Sequence, residues 1–170
     1  DMDYKSWRRD LQADLEILQL ILIMLKDITP EHDSKLQQLI ADLRNKFNNP
    51  INGNNKKVLI FTAFADTADY LYEQLAGRIL DKCGLHTALI TGSTDGKCTI
   101  PRMKCTFNDV LTYFSPVSKD RDAIYPNDKR EIDVLIATDC ISEGQNLQDC
   151  DYIINYDIHW NPVRILQRFG

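Results

Sequence analysis

The chain has 170 residues, 44% of them apolar, with 25 acidic and 20 basic residues for a net charge of −5. That is one domain's worth of chain with enough apolar material for a core, which excludes a disordered tail. The acidity excludes a chain-wide basic footprint for DNA or RNA, so any nucleic-acid contact must be local or shared with another part of the protein.

In chain order, Leu11, Leu15, Leu18, Leu22 and Leu25 recur at three- and four-residue steps and predict a first helix. Ile17, Leu20, Ile21 and Ile23 widen its apolar face until the helix needs cover on more than one side, as core or as an interface with another lobe. Trp7 is expected in the core. The apolar run over 17–25 contains Gln19 and is far shorter than the ~20 residues a membrane span requires. Thr29-Pro30 ends this helix, and a second one carries Leu36, Leu39, Ile40, Leu43 and Phe47. The loop Asn48-Asn49-Pro50 through Asn52-Gly53-Asn54-Asn55 then divides a helical extension, 1–55, from the main body, 56–170.

Beyond the loop the periodicity changes. Val58-Leu59-Ile60-Phe61 predicts a strand buried on both faces, with Lys56 and Lys57 solvated at its start. A helix follows, with Ala68, Leu71, Leu75 and Ile79 inward and Gly84 as its stop. Further strands are expected at Thr87-Ala88-Leu89-Ile90, Val134-Leu135-Ile136-Ala137 and Tyr152-Ile153-Ile154-Asn155-Tyr156. Between them, 102–114 predicts a helix and 115–129 a polar surface loop with two prolines. Alternating strands and helices make an α/β fold, a parallel sheet with helices on both faces. Ligands of such sheets gather at the carboxyl ends of the strands.

Two stretches at those ends carry chemistry. In Thr138-Asp139-Cys140-Ile141-Ser142-Glu143-Gly144-Gln145-Asn146, Thr138 would present a hydroxyl and a free backbone N–H to a phosphate oxygen. Gly144 would allow close backbone approach, and the Asn146 amide would suit a sugar hydroxyl. Alone, Thr-Asp after a strand is equally a capped turn. The second stretch runs from Asp151-Tyr152-Ile153-Ile154-Asn155-Tyr156-Asp157 through His159-Trp160-Asn161-Pro162 to Ile165-Leu166-Gln167-Arg168-Phe169-Gly170.

This ordered set resembles the second RecA-like lobe of superfamily 2 helicases of the Swi/Snf-like bacterial type. The likeness includes motif V, the following strand with its Asp, the Trp-Asn-Pro turn and the opening of motif VI. Residues 58–64 look like motif IV, and Ile90-Thr91-Gly92-Ser93-Thr94 resembles the lobe's Gly-Ser-Thr turn. The resemblance implies that Thr138 and Asp139 meet the nucleic-acid backbone and that Gly92, Ser93 and Thr94 touch a phosphate of the tracked strand. It further implies that Gly144 and Asn146 face the ATP ribose, that Gln167 lies near the phosphates, and that Trp160, Asn161 and Pro162 shape the turn beside the cleft. The implied cofactor is ATP with Mg²⁺ in the full-length protein, with none tightly bound to this chain. The implied partners are a first RecA-like lobe of the same protein and DNA or RNA, with no membrane.

The sequence departs from the family pattern in two ways. Motif VI stops at Gly170, short of the arginines that would reach the γ-phosphate, and Arg168 sits at a variable position. No G-x-x-x-x-G-K-[S/T] loop occurs; the one Gly-Lys, Gly96-Lys97, lacks its upstream glycine. The chain therefore reads as an excised piece without catalytic residues or metal ligands of its own. A non-catalytic interaction module of the same shape is the alternative. The five cysteines, Cys83, Cys98, Cys105, Cys140 and Cys150, contain no C-x-x-C and read as reduced cytosolic thiols, several of them buried. A zinc site from Cys98, Cys105 and a histidine fits no common spacing.

Overall fold

A computed structural model describes residues 3–92, 94–141 and 145–157, without the side chains of Thr94 and Asp95. It forms two compact units, Asp1–Leu39 and Ile40–Gly170, whose boundary falls inside the second helix.

The first unit holds helix α1, Tyr4–Lys26. Asp3 caps it, its carboxylate accepting from the amides of Lys5 at 3.2 Å and Ser6 at 3.1 Å. No residue of α1 is buried. Trp7 is 60% exposed, against the expectation that it sits in a core, and Leu18, Ile23 and Met24 are as open. The apolar girth that marked this helix as one needing cover is therefore left uncovered by the described residues of its own unit. A short 3₁₀ turn, Pro30–His32, leads into α2, Ser34–Asn48. Leu36, Leu39, Leu43 and Phe47 are buried, in agreement with the stripe read from the sequence. Among the described residues no helix is long and apolar enough to cross a membrane.

The second unit is a five-stranded sheet of β1 (Val58–Phe61), β2 (Thr87–Thr91), β3 (Thr94–Cys98), β4 (Val134–Ala137) and β5 (Ile153–Asn155). Its spatial order is β3-β2-β4-β1-β5. Strands β2, β4, β1 and β5 run parallel, with Val134 paired to both Val58 and Thr87. The outermost strand, β3, runs antiparallel to β2, so the sheet is mixed at one edge where the sequence led to a parallel one.

Side chains alternate across the sheet, so each central strand feeds two cores. Leu59, Phe61, Ala88, Ile90, Leu135 and Ala137 pack with Val110, Leu111 and Phe114 of α4, Phe107–Phe114. The alternate residues, Ile60, Leu89 and Ile136 among them, are equally buried and face α3, Ala65–Cys83, whose Ala68, Leu71, Leu75 and Ile79 are closed from solvent. Gly84 stops α3 at φ 67°, a left-handed conformation glycine adopts freely, and its N–H donates to the Leu80 carbonyl at 2.9 Å.

The stretch after α4 is more structured than a surface loop. It contains the single turn α5, Arg121–Ile124, and Arg121 is 5% exposed. The Arg121 guanidinium donates to the Arg130 carbonyl and to Glu131, each at 3.2 Å, and to Asp122 at 3.0 Å. Tyr113 donates to Asp128 at 2.7 Å and Tyr125 to Asp109 at 2.6 Å, tying the far end of the stretch back to α4. Lys57 corrects another expectation: it is 8% exposed rather than solvated. Its ammonium donates to the Ile132 carbonyl at 3.0 Å, pairs with Glu131 at 3.0 Å and lies 5.7 Å from the centre of the Phe114 ring.

Candidate functional site

Because four strands run parallel, their carboxyl ends meet at one edge of the sheet, and Gly92, Thr94, Thr138 and Asp139, described residues among those singled out from the sequence, lie at or beside those ends. The tips of β2 and β4 adjoin. The Thr138 N–H donates to the Ile90 carbonyl at 3.3 Å, and the Cys140 thiol reaches the same oxygen at 3.8 Å. The Thr138 amide is thus engaged by the neighbouring strand, not free for a ligand as the sequence led us to expect. Its half-buried side chain carries a hydroxyl that no described residue engages. Asp139 opens a 3₁₀ turn, Asp139–Ile141, which is anchored by the buried side chain of Ile141.

Gly92 is exposed at the end of β2. A Cβ added there would sit 3.4 Å from the Cys140 Cβ, an ordinary contact. Among the described residues nothing therefore demands glycine at this exposed position. Thr94 begins β3 across the turn. Ser93 lies outside the described residues, as do Gly144, Trp160, Asn161, Pro162 and Gln167.

The tips of β1 and β5 form the second half of the edge. The Thr62 hydroxyl donates to the Phe64 carbonyl at 2.8 Å, and the Phe64 amide donates back to it at 3.1 Å. The Ala63 amide donates to the Asp157 carboxylate at 3.3 Å, linking the end of β1 to the residue that follows β5.

Past the β4 tip the chain returns along a segment that the rest of the domain holds firmly. The Gln145 side-chain oxygen Oε1 accepts from the Lys119 ammonium at 2.9 Å. Asn146 is exposed, and its side-chain oxygen accepts from the Gln148 amide at 3.4 Å. Asp149 accepts from the amides of Val117 at 2.7 Å and Ser118 at 3.0 Å and from the Ser118 hydroxyl. Burial alone would raise this carboxyl, but those three donors, the Ser118 hydroxyl foremost, hold it below the usual range. The Asp149 carbonyl accepts from Asn55 at 2.9 Å. Asp151 pairs with Lys46 at 2.6 Å and accepts from Asn52 at 3.0 Å.

These anchors, Lys46, Asn52, Asn55, Ser118, Lys119, Asp149 and Asp151, were missed by sequence reasoning. The partners of Asp151 lie 105 and 99 positions away, so no local spacing could reveal them. Asn52 and Asn55 carried only a turn signal. They turn out to spend their amides fastening the segment behind the site.

Among the described residues no three His, Cys, Asp or Glu side chains converge on a space for a metal ion. All five cysteines are free thiols; Cys83 and Cys140 are exposed and Cys98, Cys105 and Cys150 half-buried, so none lies fully in the core as expected for several.

Comparison with known proteins adds the family. The model of the helicase conserved C-terminal domain matches residues 32–170. An uncharacterized ATP-dependent helicase of Bacillus subtilis, YqhH, is 58% identical over 40 residues, covering 24% of this chain and 7% of that protein. The ATP-dependent DNA helicase MPH1 of Pyricularia oryzae is 29% identical over 136 residues, 80% of this chain and 11% of that protein. The crystal structure of the Pyrococcus furiosus Hef helicase domain superposes with a TM-score of 0.49 at 20% identity, over 96% of this chain and 27% of that one. The chain spans between 7% and 16% of the length of the curated relatives it matches. With the match running from inside the first unit to the last residue, the chain belongs to the helicase conserved C-terminal domain family.

Proposed function

We propose that this domain works as the second motor lobe of an ATP-dependent DNA translocase or helicase, closing on a first RecA-like lobe of the same protein. The observation that carries the reading is the meeting of the β2 and β4 tips. There an exposed glycine that no described residue requires, Gly92, adjoins a threonine hydroxyl with no described partner, Thr138. A bare backbone turn beside a hydroxyl is what a phosphate oxygen needs, and phosphate contacts position a strand without reading its bases.

In this reading Gly92, Ser93 and Thr94 touch one phosphate, while Thr138 and Asp139 touch the next part of the backbone. Gly144 and Asn146 face the ribose of ATP, Gln167 approaches its phosphates, and Trp160, Asn161 and Pro162 shape the turn between them. ATP supplies the free energy of phosphoryl transfer when bound between the lobes. This chain's contribution is to hold its half of the strand and to move with the cleft. In this reading the catalytic loop and the Mg²⁺ ligands come from the first lobe. The fungal relatives named as DNA helicases favour DNA as the polymer, and the free thiols fit the cytoplasm.

Binding of this domain to single- and double-stranded DNA, titrated against salt, tests the reading. Wild type should bind at low salt with affinity falling as salt rises, and Thr138→Ala should weaken binding by about tenfold, the lower end of what one hydrogen bond to a charged phosphate is worth. Equal binding by both forms would remove Thr138 from the tracking surface.

A further inference from the structure

Cys98 and Cys105 take no part in the motor reading, yet their sulfurs lie together. Cys98 ends β3 and Cys105 sits in the connection to α4. The Cys105 thiol donates to the Cys98 sulfur across 3.1 Å. Backbone bonds fix this approach from both sides. The Gly96 N–H donates to the Cys105 carbonyl at 3.1 Å, and the Thr99 N–H donates to the Thr87 carbonyl at 3.0 Å. Gly96 is the residue that permits it, since a Cβ there would lie 2.6 Å from the Cys105 carbonyl oxygen and 3.0 Å from that of Leu89. Both sulfurs are half-buried, so a small oxidant can reach them while a bulky one is hindered.

We propose that Cys98 and Cys105 form a reversible intramolecular disulfide, an oxidation site for a small peroxide that locks the β3 edge to the chain entering α4. From 3.1 Å the sulfurs must close by about 1 Å to reach bonding distance, which side-chain rotation can supply. The steps balance. The Cys98 sulfur, its proton passing to solvent, attacks one peroxide oxygen; the O–O bond breaks, a sulfenic acid forms and hydrogen peroxide leaves as water. The Cys105 sulfur then attacks the Cys98 sulfur. The S–S bond forms, the S–O bond breaks, and the departing hydroxide takes up the Cys105 proton as a second water. In total two thiols and one hydrogen peroxide give one disulfide and two waters. The order of attack follows from Cys105 keeping its proton: burial, then the hydrogen bond with Cys98, push its thiol up to about 12. Reduction by a dithiol reverses the cross-link.

The chemistry does not depend on the motor reading, so failure of one leaves the other standing. The test treats the full-length protein with low equivalents of hydrogen peroxide, alkylates the remaining thiols and digests with trypsin. Cleavage after Lys97, Arg102 and Lys104 places the two cysteines in separate peptides, joined only if the disulfide has formed. The expected product is that joined pair, lighter by two hydrogen atoms and separated by dithiothreitol. In Cys105→Ser the sulfenic acid should instead persist on Cys98 and be trapped by dimedone. The proposal is overturned if both cysteines remain alkylatable after exposed Cys83 and Cys140 have been oxidised. It is equally overturned if Cys98 pairs with another cysteine, or if Cys98 of Cys105→Ser fails to react with dimedone.

Discussion

Replacing Lys46 with methionine tests how the segment behind the site is held. Lys46 is almost fully buried, its side chain 1% exposed, and its ammonium lies 2.6 Å from Asp151, itself 13% exposed. The same ammonium sits 5.6 Å from the centre of the Tyr152 ring. Lys46→Met keeps most of the apolar stem, so the loss falls on the charge. Breaking a buried pair by removing one partner costs about 3–5 kcal/mol. Two features discount that figure here. Asp151 keeps its bond from Asn52, and it retains some access to water. The expected loss is therefore about 2–3 kcal/mol, or a fall in Tm of roughly 6–8 °C at the entropy of unfolding of a chain this size. Chemical denaturation of wild type, Lys46→Met, Asp151→Asn and the double variant supplies the assay. The double variant should lose less than the sum of the singles by about 1–2 kcal/mol, the coupling expected of a direct partner. A Lys46→Met variant within about 0.5 kcal/mol of wild type, the range of a neutral surface change, would refute the reasoning.

Three other perturbations follow from the same geometry. Gly96→Ala should destabilise by about 2 kcal/mol or more, because the new methyl meets two backbone oxygens that cannot swing aside, and a thermal melt indistinguishable from wild type would contradict this. Asp149→Asn should free the Val117 and Ser118 amides to exchange faster with solvent and lower stability by about 1–2 kcal/mol at neutral pH. The Asp149 carboxyl is held low in the fold, so its contribution is present above the unfolded value of about 4 and is lost as pH falls through the folded one; the variant's deficit should shrink on acidification below about pH 4. Asp133 behaves oppositely. Burial raises its carboxyl although its oxygen accepts from the His86 amide at 3.0 Å. Its contribution is greatest below the unfolded value and is lost as pH rises, so Asp133→Asn, which keeps the acceptor, should raise Tm at pH 7, with the gain vanishing in acid.

The parts of the fold legible in the sequence were those in which hydrophobicity alone decides. Val58–Phe61 and Val134–Ala137 are continuous apolar runs, and both are closed from solvent along their whole length. Strand β3 escaped notice because its sequence, Thr-Asp-Gly-Lys-Cys, has neither a run nor an alternation. It is a strand through pairing with the neighbouring β2 and the fit of Gly96 against Cys105, neither of which a hydrophobic run or alternation can signal. Lys57 and Arg121 misled for a related reason. A cation reads as solvated until the carbonyls and carboxylates that receive it are known, and those lie 75 positions away for Lys57 and nine or ten for Arg121. Trp7 misled in the other direction, since an aromatic residue on an apolar helix signals burial without saying what does the burying. At the site, Gly92 and Thr138 follow the paired strands β2 and β4, an adjacency that the sequence order of the motifs does not state and that the parallel pairing supplies. The engagement of the Thr138 amide by Ile90 was invisible, being a matter of how far the β2–β4 ladder extends.

The most direct test of the motor reading is DNA-stimulated ATP hydrolysis by the full-length protein carrying Thr138→Ala. If the hydroxyl at the β4 tip grips the tracked strand, stimulation should fall about tenfold, equivalent to one charge-assisted contact, and half-stimulation should require more DNA. Stimulation and DNA requirement equal to wild type, in a variant that melts at the wild-type temperature, would contradict it.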